Sequence, residues 1–177
     1  MKNIAFLLAL LFICSTSTSK AQQTINKEKS KINFHITGGG IFKVKGTFTG
    51  MQGDFHLNTT DLQSANFNIC VDATTINTKN NKRDTHLRTS DFFDVAKYPN
   101  ICFQSSSITK TSSGYQTTGK LTIHGVSKDV EIPFTFSENT FTGNLAINRF
   151  DYKIGEEFGT MRVGTEATVT ITCVLNK

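Results

Sequence analysis

The side chains with the most chemical potential crowd into one short stretch. Arg83, Asp84, His86, Arg88 and Asp91 fall within nine consecutive positions. Guanidinium forks match the oxygens of carboxylates, phosphates and carbonyls. Arg83, His86 and Arg88 are therefore the candidate contacts to a polar head group. A structural reading of the same residues pairs Asp84 and Asp91 with the arginines and lets them cap short helices. Catalysis is not expected, because the sequence holds no nucleophile elbow, no phosphate loop and no Cys-X-X-Cys. His35, His56 and His124 stand apart without i, i+2 or i, i+4 partners, so neither a metal nor a cofactor is expected. His35 and His56 fall on the polar phase of their segments. His124 precedes Gly125, and a turn histidine bonded to backbone is expected there.

These groups sit in a chain that otherwise alternates. Ile32, Phe34 and Ile36 are spaced two apart, as are Phe42, Val44, Gly46 and Phe48. Phe55 and Leu57 follow a Gly. The pattern continues through Phe67, Ile69, Val71 and Ala73, then Ile101 and Phe103, Leu121 and Ile123, and Ile132, Phe134 and Phe136. Phe141, Leu145 and Ile147 precede a last run of Val169, Ile171, Cys173 and Leu175. A period of two puts every second side chain on a dry face. Gly-, Ser- and Asn-rich breaks such as Gly38-Gly39-Gly40 and Ser112-Ser113-Gly114 separate the runs. Eight to ten strands with short connections predict an all-β antiparallel fold, either an up-and-down barrel or a sandwich. Residues 74–100 break the pattern. Asn80–Arg88 is expected to form a turn or two of helix, and Ser90–Asp94 a second short helix. Phe92 and Phe93 are too apolar to stay wet, so this connection reads as a lid or a packed loop.

The N-terminus reads as an export signal. Lys2 precedes an apolar run of eleven residues, Ile4 to Cys14, and Ser19-Lys20-Ala21 offers small residues for cleavage. Residues 1–21 are thus expected to be removed, leaving one domain over 22–177 that is periplasmic or secreted. Lipid anchoring through Cys14 is not expected, since Ile13 before it is large. Loss of Lys2 and Lys20 leaves seventeen basic against fourteen acidic residues. So small and scattered a surplus gives nucleic acid little to hold. No apolar run reaches the ~18 residues of a membrane-spanning helix. Three cysteines remain after cleavage. Cys173 shares a dry face and should be buried. Cys70 and Cys102 take the outward phase on the two runs that flank the long connection, and a cross-strand disulfide between them is an expectation.

Two longer motifs carry a resemblance. Arg83 to Asn100 (RDTHLRTSDFFDVAKYPN), with Ile101-Cys102-Phe103 after it, resembles the signature of the YceI-like family, and so does Thr118 to Val130 (TGKLTIHGVSKDV). Val44 to Phe48, Asn77 to Asp84 and Val163 to Thr172 are similar as well, so the likeness spans the chain beyond the leader. Members of that family are exported bacterial proteins described as polyisoprenoid-binding. The resemblance implies a lipocalin-like extended barrel of about eight strands, a long apolar cavity for an isoprenoid or similar amphiphile, and a homodimer. The glycine run 38–40 departs from the family's usual bulk in that loop. On this reading the ligand-binding residues are the alternating Phe34, Phe42, Val44 and Phe48, with Phe67, Ile69, Ile101 and Phe103. Phe92 and Phe93 of the long connection join them, as do Leu121, Ile123, Phe134, Phe136, Leu145 and Ile147. Burying ~15 carbons at ~0.8 kcal/mol each gives a gross ~12 kcal/mol before the entropy of association. The competing expectation is an exported structural or partner-binding barrel whose interior is filled by its own side chains.

Overall fold

A computed structural model describes residues 23–176. The expected leader, 1–21, lies outside the described residues.

The alternating runs become eight strands: β1 (Lys31–Gly38), β2 (Phe42–His56), β3 (Asn66–Asn77), β4 (Asn100–Thr111), β5 (Gly114–Ile123), β6 (Val126–Ser137), β7 (Thr140–Asn148) and β8 (Val163–Val174). Each pairs antiparallel with its neighbour in sequence, and β8 returns to pair with β1, so the sheet closes into a barrel. Closure removes both free edges, where unpaired N–H and C=O groups would otherwise template aggregation. The barrel, not the sandwich, is the architecture.

Register sorts the alternating residues into layers. Phe34 on β1 faces Gly46 on β2 and Val169 on β8, and Val169 faces Leu145 on β7. One layer up, Ile36 meets Val44 and Ala167; one layer down, Ile32 meets Phe48 and Ile171. Gly46 has a packing reason: a Cβ there would lie 2.3 Å from the Phe34 ring. β2 joins two of the expected runs into one long strand. It bends where its register against β3 shifts between Thr47 and Gln52. Gly50 lies within this irregular stretch with φ +70°, where a Cβ would stand 3.0 Å from the Asp72 Cβ.

The long connection begins later than expected, because β3 runs on to Asn77. One helix, α1 (Asn81–Leu87), follows, with the Asn80 side chain accepting from the Arg83 N–H at its start. The second helix expected over Ser90–Asp94 is absent. That segment is a run of turns, in which the N–H groups of Phe92 and Asp94 both donate to the Thr89 carbonyl. Asp94 has φ +43°, which ends any right-handed helix at that point.

Candidate functional site

The connections alternate between the two ends of the barrel, and the ends differ. At one end lie the tight β4–β5 and β6–β7 turns and the β2–β3 loop. Here aromatic rings fill the lumen. Phe55 stacks on Phe67 with centroids 4.5 Å apart, Phe134 on Phe141 at 4.5 Å, and Tyr115 on Phe134 at 5.3 Å. Phe136 closes on Phe55 at 6.1 Å. The other end carries the β1–β2 loop, the α1 connection, the β5–β6 turn and the long β7–β8 connection.

Between the plug and that second end the barrel is hollow. A cavity of about 820 Å³ runs through it, lined overwhelmingly by aliphatic and phenyl side chains. Most of the expected binding residues line it: Phe34, Phe42, Val44 and Phe48 on the first hairpin, and Phe67, Ile69, Ile101 and Phe103 on β3 and β4. Phe92, Phe93, Leu121, Ile123, Leu145 and Ile147 line it as well. Phe134 and Phe136 do not. Their rings belong to the plug, because the plug side of a strand carries the same alternation as the hollow side. The interior is therefore not filled, and the filled-barrel expectation does not describe this lumen.

Lining residues outside the expected set come from the same alternation. Ile32, Ile36, Phe55, Phe141, Val169 and Ile171 are examples. Met51, Ile76 and Phe158 have no such signal; a bulged strand and a loop bring them in.

The polar expectations divide. Arg83 and His86 line the cavity and Arg88 does not. Arg88 turns to the backbone instead, donating to the carbonyls of Thr74 (2.8 Å) and Ile76 (2.6 Å), which ties α1 to β3. Arg83 donates to the Thr78 hydroxyl (2.7 Å) and carbonyl (3.0 Å). The aspartates do not pair with these arginines. Asp84 is buried and accepts from the N–H of Thr78 (2.9 Å) and from its hydroxyl. Asp91 sits 2.8 Å from Nε2 of His86. The His86 ring meets Phe92 and Phe158 edge-on, and those two rings stack at 4.8 Å, so the α1 connection and the β7–β8 connection join over the opening. His124 has its Nδ1 3.2 Å from the Tyr152 carbonyl, as a turn histidine should.

Sequence reasoning missed the most unusual residue at this end. Arg149 is only 4% exposed and spends all five guanidinium N–H groups on backbone carbonyls. Nε donates to Gly164 (2.9 Å), Nη1 to Ile154 (2.9 Å) and Gly155, and Nη2 to Phe158 and Val163 (3.2 Å). Burial lowers its pKa. Arg162 joins it in the lining. Among the described residues the lining thus holds three guanidiniums and no carboxylate. A greasy tube with a cationic throat can take a hydrocarbon chain tail first and hold a carbonyl or anionic head at its mouth.

Cys70 and Cys102 lie directly opposite each other on β3 and β4 and form a disulfide. Cys173 is buried and free, and burial pushes its thiol up to about 12.

A family profile described as "YceI-like domain" matches residues 23–175. Protein YceI of Salmonella arizonae is 33% identical over 134 residues, 74% of this chain and 70% of that protein. UPF0312 protein VPA0850 of Vibrio parahaemolyticus is 33% identical over 108 residues; the match spans 60% of this chain but only 57% of that protein. Among solved structures, Burkholderia cenocepacia BcnA superposes with a TM-score of 0.76 at 24% identity, covering 86% of this chain and 99% of its own. A polyisoprenoid binding domain from Saccharophagus degradans reaches 0.65 at 16% identity, over 87% and 97%. These last two likenesses speak to the fold.

Proposed function

This chain belongs to the YceI-like family, and from that premise we propose that it is an exported carrier of a long-chain isoprenoid-type amphiphile, such as an isoprenoid quinone or its precursor. The observation that carries the reading is the hollow barrel: about 820 Å³ of apolar lumen, blind at its aromatic plug and cationic at its mouth. A methylene occupies about as much space as a water, ~30 Å³ in the liquid, so the lumen has room for on the order of twenty carbons. Such a chain is nearly insoluble in water, and sheltering it needs no catalysis. Arg83, Arg162 and His86 are the groups to which the head would be offered. The polyisoprenoid binding of one fold neighbour agrees with this choice of ligand. Export accords with Lys2, the apolar run after it and the Cys70–Cys102 disulfide, which persists in oxidising compartments. A homodimer belongs to the same reading and is checked by sedimentation.

The test is extraction. Protein purified from its native host without detergent should release a stoichiometric prenyl lipid on organic extraction, identified by mass spectrometry. The double substitution Leu145→Phe, Ile171→Phe narrows the lumen at facing strands and should empty it by at least about tenfold while leaving the far-ultraviolet spectrum intact. Repeated purification of wild-type protein with no lipid, and no rise in melting temperature on adding prenyl lipids, would overturn the proposal. Cell fractionation and N-terminal sequencing beginning at Gln22 test the exported address.

A further inference from the structure

Scattered apolar side chains on a protein surface mean little, but here they are not scattered. Among the described residues the large hydrophobic side chains left exposed are Ile41 (80%), Phe42 (68%) and Met161 (87%). Ile41 and Phe42 lie at the β1–β2 loop and Met161 at the end of the β7–β8 connection. The two segments are bound together, since the Gly39 N–H donates to the Arg162 carbonyl at 2.9 Å. All three side chains therefore stand on one arc of the barrel's open end. The arc is also continuous with the lumen: Phe42 and Arg162 line the cavity, while Ile41 and Met161 do not. Charge follows the same arc. Residues 36–45 and 161–168, next to the three side chains, carry Lys43, Lys45 and Arg162, all exposed, against Glu166, while the exposed Glu156 and Glu157 lie five and four residues before Met161 in the same connection.

We propose that this arc is a membrane-docking edge, by which the open end of the barrel seats on an anionic lipid bilayer so that a chain passes between bilayer and lumen without crossing water. Three side chains of this size expose roughly 400–500 Å² between them, well short of the ~800 Å² per partner that a stable protein interface covers. They protrude from two short loops, a shape suited to entering the head-group region. The basic residues behind them match an anionic lipid surface, and their attraction is weakened by salt. The purpose of the docking rests on the carrier reading, but the docking itself is measured separately.

The sequence contains no tryptophan, so a single introduced one reports on its own position. Met161→Trp should shift its emission to the blue on addition of vesicles containing phosphatidylglycerol and be quenched by brominated lipid. Ser113→Trp, in the β4–β5 turn at the opposite end, should do neither. Phosphatidylcholine vesicles alone, or high salt, should give a much smaller response. The double variant Ile41→Ser, Met161→Ser and, separately, Lys43→Glu should each bind anionic vesicles about tenfold more weakly, while taking up a prenyl lipid delivered from detergent as wild type does. Unchanged emission at position 161, equal quenching at 161 and 113, or a blue shift that tracks protein concentration without lipid would each overturn the proposal; the last would mean a second copy covers the edge. Lipid uptake without docking would leave the carrier reading standing. Docking without any uptake would remove that reading instead.

Discussion

Phe134 and Phe141 stack with ring centroids 4.5 Å apart, and this one contact divides the filled end of the barrel from the hollow end. Phe141 lines the cavity and Phe134 does not. Both are buried. Phe55 and Phe67, both against Phe141, line the cavity with it, so these three rings form its blind end.

Phe141→Ala should deepen the lumen toward Phe134. It removes a buried phenyl and leaves a void, which costs about 3–5 kcal/mol of stability. Urea denaturation reads the cost. The lipids extracted from the variant should shift to longer chains, as read by mass spectrometry. An unchanged length distribution at reduced stability would mean that the plug does not gauge length.

Arg149 holds the β7–β8 connection together by saturating five carbonyls. Arg149→Leu removes all five of these donors at once, although the Gly155 carbonyl keeps the Phe158 N–H, and should destabilise the protein by about 2–4 kcal/mol. Relief from burying a charge keeps the loss below the simple sum of the bonds. Limited proteolysis should then cut first within residues 153–162. Arg149→Lys keeps the charge but cannot form the fork, so it should rescue little.

The Cys70–Cys102 disulfide closes a loop with a sequence separation of 32 that contains α1 and the lid over the mouth. Chain-entropy reasoning assigns a loop of that size about 3–4 kcal/mol. Cys70→Ala combined with Cys102→Ala should lower the denaturation midpoint accordingly, with barrel strands intact by circular dichroism. The same variant should match wild type treated with reductant.

Cys173 gives the protein an alkaline limit. Burial raises its thiol from an ordinary 9.0 to about 12, against a smaller opposing contribution from its hydrogen bond with Ser30. Between those values the unfolded chain gives up a proton that the folded chain keeps. Stability is therefore whole below pH 9 and falls as pH rises toward 12, by up to about 4 kcal/mol from this group. Tyr152, also raised to about 12 by burial, tilts the same way over a narrower range. Cys173→Ala should flatten the slope between pH 9 and 11 in urea melts taken at successive pH values. In native wild type at pH 8, peptide mapping after iodoacetamide should find Cys173 unmodified.

The amino-acid order by itself determined that this is an antiparallel all-β chain, because a period of two is a local property that each residue carries with its neighbours. It also marked which residues face inward, from Ile32 to Leu175, and it predicted a turn or two of helix over Asn80–Arg88, where α1 lies. It did not distinguish Phe103, which lines a void, from Phe134, which fills one. Both sit in the same alternation, and the difference arises only when eight strands close and rings from β2, β3, β6 and β7 meet at one end. Nor did it reveal Arg149, whose partners are backbone carbonyls on a connection that comes back to it only after folding. Arg88 was misplaced for a similar reason: proximity to Arg83 in sequence said nothing of the turn of helix that points it at β3. Strand identity is written in nearest neighbours; hollowness is a property of the closed barrel, because it is the volume left over when all the inward side chains have been counted together.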